Sequence, residues 1–131
     1  MCSINSDFLK EEYRNGYLIT EKMKKVWAVE LDLLSELDRV CKKYNIKYYA
    51  AFGTLLGAIR DKGFIPWDDD IDVWLLRDEY ERLKQVAPKE FTGKYYYQDW
   101  YNSCGRTWIF SKLRNSETTA IEYPDKGPEF N

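Results

Sequence analysis

Apolar residues recur at three- and four-residue steps along the first third of the chain. Val26, Val29, Leu33, Leu37, Val40 and Tyr44 form one stripe, widened by Leu34 and Cys41, and that period predicts an amphipathic helix. Thr20 suits its N-cap, Glu21 the positive end of the helix, and Asn45 the stop. Residues 1–19 show no comparable period and read as a lead-in of mixed polarity, leaving 20–131 as the domain proper. The pattern changes at Ile46. Ile46–Phe52 favours β structure and predicts a strand ended by Gly53. Thr54–Arg60 reads as a short helix closed near Gly63, and Pro66 makes the next residues a loop. Ile71–Leu76 is apolar almost throughout, which predicts a second strand buried on both faces. Asp78-Glu79-Tyr80-Glu81 opens another helix in capping-box style, with Tyr80, Leu83 and Ala87 on one side and Pro88 as its end. Lys94–Gln98, Thr107–Leu113 and Thr118–Glu122 read as strands ahead of a turn-rich tail. This order predicts an α+β fold, a small mixed sheet covered by helices.

Composition narrows the chemistry. A chain of 131 residues is enough for one core and too short for two. A net charge of -2 gives no general affinity for DNA or RNA backbone. No apolar run is long enough to span a membrane and the first residues lack a signal-peptide pattern, so a cytoplasmic protein is the default. The cysteines Cys2, Cys41 and Cys104 are odd in number and widely spaced, which suits reduced structural thiols better than a zinc knuckle or redox pair. Histidine is absent. Ser-His-Asp triads, Cys-His dyads and His-based zinc hydrolases are therefore excluded. Catalysis would need carboxylates, Lys, Arg, Tyr, hydroxyls, or a metal held by oxygen.

The chemistry concentrates between Gly53 and Asp72. Asp70 and Asp72 alternate with Ile71 and Val73 at the start of the second predicted strand. Side chains on a strand alternate faces, so both carboxylates are expected on one side. Two like charges placed so call for a cation between them. Magnesium fits, since it takes hard oxygen ligands and accepts one or two carboxylates plus phosphate oxygens. Gly53 lets a backbone approach a ligand, and the helix after it points free amides forward, which suits phosphate. Thr54 can add a hydroxyl bond, Gly57 close packing of the helix on the sheet, and Arg60 and Lys62 positive charge. Asp68 is a candidate for supporting the metal site, and Trp67 and Phe64 for walling a base or choline-like cation. Each has a plainer alternative: an N-cap for Thr54, an ion pair with Asp61 or Asp78 for Arg60, a solvated turn for Asp69, core packing for Trp67 and Phe64. An EF-hand register on Asp68, Asp70, Asp72 and Glu79 fails. Its glycine position is Val73, Pro66 prevents the entering helix, and the loop is too apolar.

The run Ala51-Phe52-Gly53-Thr54-Leu55-Leu56-Gly57-Ala58-Ile59-Arg60, followed by Gly63-Phe64-Ile65-Pro66-Trp67-Asp68-Asp69-Asp70-Ile71-Asp72-Val73, closely resembles the signature of the LicD family, which includes fukutin-like proteins. The likeness extends upstream through Asp38-Arg39-Val40-Cys41 and downstream through Arg77–Leu83, Lys112-Leu113-Arg114-Asn115 and Thr118-Thr119, covering roughly residues 25–125. It implies a nucleotidyltransferase (polymerase-beta-like) fold, with Gly53-Thr54 as the family's Gly-Ser or Gly-Thr turn. Asp70 and Asp72 would be the metal-binding and catalytic pair, with Asp68 a further candidate ligand. Arg60, Lys112 and Arg114 would hold phosphate oxygens, an exposed strand edge being the plainer reading of the last two. The implied cofactor is Mg2+ or Mn2+. The implied reaction moves phosphocholine, or a similar phospho-group, from a CDP-linked donor to a sugar hydroxyl of a surface glycan such as lipopolysaccharide or teichoic acid, in the cytoplasm or peripheral to the membrane. Relatives continue into a strand carrying a further carboxylate, and Asp99, Glu117 and Glu122 do not match it. We therefore expect a fragment, its metal site incomplete and its activity alone in doubt, with an open sheet edge prone to pairing. Two rivals stand beside this reading: transfer of a nucleotide to a small acceptor, and a non-catalytic nucleotide- or glycan-binding module.

Overall fold

The computed structural model describes residues 4–102 and 109–119. Among these, three helices and three two-stranded antiparallel sheets make a mixed α/β arrangement. The long first helix, α1 (Glu21–Lys43), matches the apolar stripe, and Thr20 caps it by accepting a bond from the Met23 amide. The chain leaves the helix through Asn45, whose φ of 51° is left-handed, and the Ile46 amide bonds back to the Cys41 carbonyl at 2.8 Å. Asparagine tolerates that conformation better than most residues, so the expected stop holds.

The lead-in is structured. A 3-10 turn at Ser6–Leu9 is followed by a hairpin of β1 (Glu12–Arg14) and β2 (Tyr17–Ile19). Its loop is Asn15-Gly16, with φ of 52° and 78°, a pairing that suits the twist of a tight hairpin. Ile19 is fully buried, and Lys24 of α1 reaches across to Glu12 at 2.9 Å.

The strands flanking the acidic segment are much shorter than predicted. β3 is Tyr49–Ala50 and β4 is Val73–Trp74, paired antiparallel. The expectation of a strand buried on both faces fails here: Trp74 and Leu76 are exposed. Between them α2 (Phe52–Arg60) starts two residues earlier than expected. The helix α3 (Arg77–Glu90) has Leu76 at its N-cap with no side-chain bond, so the predicted capping box does not form. Asp78 and Glu79 still sit favourably in its first turn. Pro88 lies inside the last turn instead of ending the helix. Its missing N–H leaves out one bond, and the Phe91 amide resumes the pattern with the Ala87 carbonyl at 2.9 Å.

Strand β5 (Tyr95–Gln98) agrees closely with prediction, while β6 (Lys112–Asn115) is shifted later. Residues 107–108 and 120–122 of the other two predicted strands lie outside the described residues, as do Cys2, Cys104 and the tail from Tyr123. The described part of the third, Thr118 and Thr119, is not strand. The expected mixed sheet is replaced by separate antiparallel pairs. One core joins Leu37, Val40 and Cys41 of α1 to Ile46, Leu83 and Ala87 of α3, Phe91 and Tyr97. Cys41 is free within it, and burial pushes its thiol up to about 11, which leaves it chemically inert.

Candidate functional site

The acidic segment sits where three elements meet. On one side, Trp27 of α1 donates its indole N–H to the Asp68 carbonyl at 2.7 Å while its ring stacks on Phe64 at 4.8 Å. On the other side, α2 grips Asp72 through its backbone. The Asp72 amide donates to Thr54 Oγ1 at 2.8 Å, and the Asp72 carbonyl accepts from the Ala51 amide at 3.0 Å. Thr54 is thus neither an N-cap nor idle. It fixes the point at which the acidic loop enters β4.

Two glycines make the close approach possible. A Cβ on Gly53 would lie 2.5 Å from Asp68 Oδ2, and one on Gly57 would lie 2.5 Å from the Gly63 carbonyl oxygen. Gly57 therefore seats α2 against the 63–65 loop, where a sheet contact was expected. The backbone reversal falls on Phe52, with φ of 42°, and not on Gly53. That is strained for a bulky residue, and Phe52 stays exposed with its ring edge-on to Trp74 at 5.6 Å.

Carboxylate oxygens of Asp68, Asp69 and Asp70 all lie within 4.8 Å of one another. The compact set is this consecutive trio, which includes the Asp69 that sequence patterning assigned to a solvated turn. Strand alternation is not what gathers them, because β4 begins only at Val73. Asp72 acts on the trio through its charge. Burial, then Asp69 and Asp72, hold the Asp68 carboxyl above its ordinary range. Burial, then Asp72, Asp68 and Asp69, do the same for Asp70. No Lys or Arg among the described residues forms an ion pair with any of the four. Such uncompensated hard oxygen donors fit Mg2+ or Mn2+ well and softer metals poorly.

Patterning missed one more acid. Glu30 on α1 is half-buried, and its carboxyl is pushed up to about 7 by burial first, then by the charges of Asp70 and Asp69. The only available signal was its place one turn after Trp27.

The remaining candidates separate. Arg60 Nε bonds Asp61 Oδ2 at 2.9 Å, the ion pair considered above as its plainer role. Lys112 and Arg114 belong to the β5–β6 pair, opposite Gln98 and Tyr96, and not to the ladder beside the acidic loop. Phe64 packs on Trp27, whereas Trp67 remains exposed and meets Tyr17 edge-on at 5.7 Å.

The sequence model of the LicD/FKTN/FKRP nucleotidyltransferase domain matches residues 45–125, which includes all of α2, the acidic loop and α3. The chain belongs to the LicD family. A lipopolysaccharide cholinephosphotransferase LicD of Haemophilus influenzae is 55% identical over 56 residues, 43% of this chain and 21% of that protein. An uncharacterised protein of Rickettsia prowazekii is 35% identical over 135 aligned positions, 92% of this chain and 50% of its own length. One of Rickettsia typhi is 35% identical over 118, covering 83% and 37%. The chain thus spans half or less of the curated relatives it matches. No solved structure matches it. No helix among the described residues is long and apolar enough to cross a membrane.

Proposed function

We propose that this LicD-family chain carries the cation-binding half of a phosphotransferase site. Its reaction moves phosphocholine, or a similar phospho-group, from a CDP-linked donor to a sugar hydroxyl of a glycan. The observation that carries the reading is the aspartate trio, three carboxylates within 4.8 Å with no basic partner among the described residues. The name of the Haemophilus influenzae relative supports the phosphocholine part. The family description supports a nucleotidyltransferase-type fold around the site.

Asp68 and Asp70 would hold the cation together with Asp69 or Asp72, and a bound Mg2+ or Mn2+ would neutralise charge on the donor's phosphates. The chain's own work is positioning. Thr54 and Ala51 clamp Asp72, Trp27 anchors Asp68, and Gly53 leaves room for the Asp68 carboxylate. In the transfer, the acceptor hydroxyl oxygen bonds to the choline-bearing phosphorus as the bond from that phosphorus to the bridging oxygen breaks. CMP leaves, and the hydroxyl proton passes to solvent or base. The exposed pair of Trp67 and Tyr17 beside Asp68 offers aromatic surface to a base or quaternary ammonium.

The test is product analysis with labelled CDP-choline, Mg2+ and a glycan acceptor. Free CMP and a phosphocholine-bearing glycan are expected, with turnover falling at least about a hundredfold in Asp70→Asn through loss of a metal-held charge. A CMP-modified acceptor would point to nucleotidyl transfer instead. Wild-type turnover in Asp70→Asn would leave the binding-module reading standing.

A further inference from the structure

Between the second half of α3 and the end of β5 lies a cavity of about 390 Å³, a size that suits a small organic ligand. It shares no residue with the acidic loop and has no role in the reading above. Its base is apolar: Phe91 and Tyr97 are buried, and their rings stack at 5.9 Å. Tyr96 and Tyr101 are exposed at its edge and offer aromatic surface to whatever enters. The polar groups are few and are placed by the turn that follows β5. Asp99 is 7% exposed, and its Oδ1 accepts the amides of Tyr101 and Asn102 at 2.9 Å each. The Asn102 side chain accepts from the Asp99 amide and donates to the Tyr97 carbonyl, both at 2.8 Å. These bonds set Asp99 and Tyr101 in place before any ligand arrives. The second Asp99 oxygen makes no hydrogen bond among the described residues. The Tyr97 hydroxyl is also buried without a hydrogen bond, while the Tyr80 and Ser111 hydroxyls beside it bond each other at 2.9 Å. Polar groups of buried residues nearly always find partners, so two unused ones around a single cavity point to a ligand that supplies them.

The charges select the class of that ligand. Lys84 Nζ lies 4.7 Å from the centre of the Tyr101 ring and 2.6 Å from Glu81 Oε2. A cation thus already sits on the aromatic surface that a quaternary ammonium would need, and its pairing with Glu81 leaves no surplus charge for a phosphate. The Asp99 carboxylate repels anions as well. What fits is a neutral molecule with an apolar face for the tyrosines and hydroxyls to donate to a carboxylate. A pyranose ring has both. We propose that this cavity is a saccharide-binding subsite. Tyr96 and Tyr101 pack against the C–H face of the sugar, one sugar hydroxyl donates to Asp99 Oδ2, and another meets the Tyr97 hydroxyl directly or through a water. The choice of a sugar over another neutral polyol rests on the glycan acceptor of the reading above, whereas the cavity and its unused polar atoms do not depend on the cation site.

Two-dimensional NMR of the isotope-labelled chain tests it without any turnover assay. The probes are the methyl glycosides of glucose, galactose and N-acetylglucosamine at millimolar concentration, with choline chloride and inorganic phosphate as charged comparators. At least one glycoside is expected to shift the amides of Lys84, Tyr97, Asp99 and Tyr101 saturably, and neither comparator should. Tyr101→Ala, at an exposed position, should weaken that binding by roughly three- to tenfold. Asp99→Asn keeps the Oδ1 that holds the turn and replaces the unused oxygen by a donor, so a loss of about tenfold or more is expected. Tyr97→Phe removes only the unanswered hydroxyl. It should weaken binding by about fivefold while its melting temperature equals or exceeds that of wild type, a pairing that a purely structural hydroxyl would not give. Tyr13→Ala, exposed on the lead-in hairpin, should change nothing. No saturable shift with any of the three glycosides, unaltered binding in both Tyr101→Ala and Asp99→Asn, or a preference for choline or phosphate would overturn the inference. Asp70→Asn should bind glycoside as wild type does. A failed transfer reaction therefore leaves this subsite standing, and absent glycoside binding removes it whatever the transfer reaction shows.

Discussion

Gly53 and Gly57 stand four residues apart on α2, and alanine at either would overlap a neighbour by the same amount, to 2.5 Å. The consequences should nevertheless have opposite character. At Gly57 the obstacle is the Gly63 carbonyl, with the Ile65 amide at 3.0 Å behind it. Both are backbone, and the 61–63 segment is held to the helix end by bonds from Asp61 and Gly63 to the Gly57 carbonyl at 2.8 and 3.3 Å. Relief requires moving the loop or the helix, which costs about 2–3 kcal/mol by analogy with overpacked cores. Helix propensity returns about 1 kcal/mol on replacing glycine by alanine. A net loss of about 1–2 kcal/mol remains, or roughly 4–8 °C in melting temperature for a chain of this size. At Gly53 the obstacle is the tip of the Asp68 side chain, which can rotate away. Gly53→Ala should therefore fold with stability equal to wild type or up to about 1 kcal/mol higher. Its cost falls on the site, because the displaced carboxylate leaves the aspartate trio. Urea unfolding of both variants, with Mn2+ titration of each, separates the two effects. Stability unchanged or raised in Gly57→Ala, or full Mn2+ affinity in Gly53→Ala, would refute the packing described here.

Further outcomes follow from the same contacts. Thr54→Val keeps the shape but leaves the Asp72 amide without its acceptor, and should cost about 1–2 kcal/mol in chemical denaturation while weakening Mn2+ binding. Trp27→Phe preserves stacking on Phe64 but loses the bond to the Asp68 carbonyl. A loss of about 1 kcal/mol is expected, and an unchanged unfolding midpoint would count against that anchor. Metal-free stability should depend on pH through Glu30. Its folded carboxyl is raised to about 7 from 4.5, so the folded state holds that proton more tightly than the unfolded chain. The stabilisation is present below about 4.5 and is lost as pH rises through about 7. Melting curves taken in chelator across this window should flatten in Glu30→Gln, and an unaltered slope would contradict the placement of Glu30.

What could be foreseen without coordinates divides by the range of the interactions involved. The stripe from Val26 to Tyr44 and the cap at Thr20 are local signals, and α1 follows them almost to the residue. The Asn15-Gly16 turn was equally local and readable, yet the short hairpin around it has no apolar alternation to draw attention. Phe52 shows where local rules yield. Gly53 is the residue that local preference would put in a left-handed turn, yet the reversal falls on Phe52 despite its strain, and Gly53 serves instead to leave room for the Asp68 carboxylate. The same competition accounts for the acidic loop. An alternating Asp-Ile-Asp-Val run looks like strand, but Trp27 and Thr54 take the backbone of Asp68 and Asp72, and β4 starts only after both are held. The aspartates are consequently gathered by tertiary bonds to α1 and α2, not by pleat geometry, which is why Asp69 joins them. Glu30 lies furthest from prediction for the same reason. Glu36 has Arg39 three residues on along the same helix at 2.7 Å and Glu30 has no basic residue three or four positions away, but only the docking of α1 on the loop brings the charges of Asp69 and Asp70 to bear on Glu30. The helix with the most legible sequence pattern thus also carries the acid that only the fold relates to the aspartates.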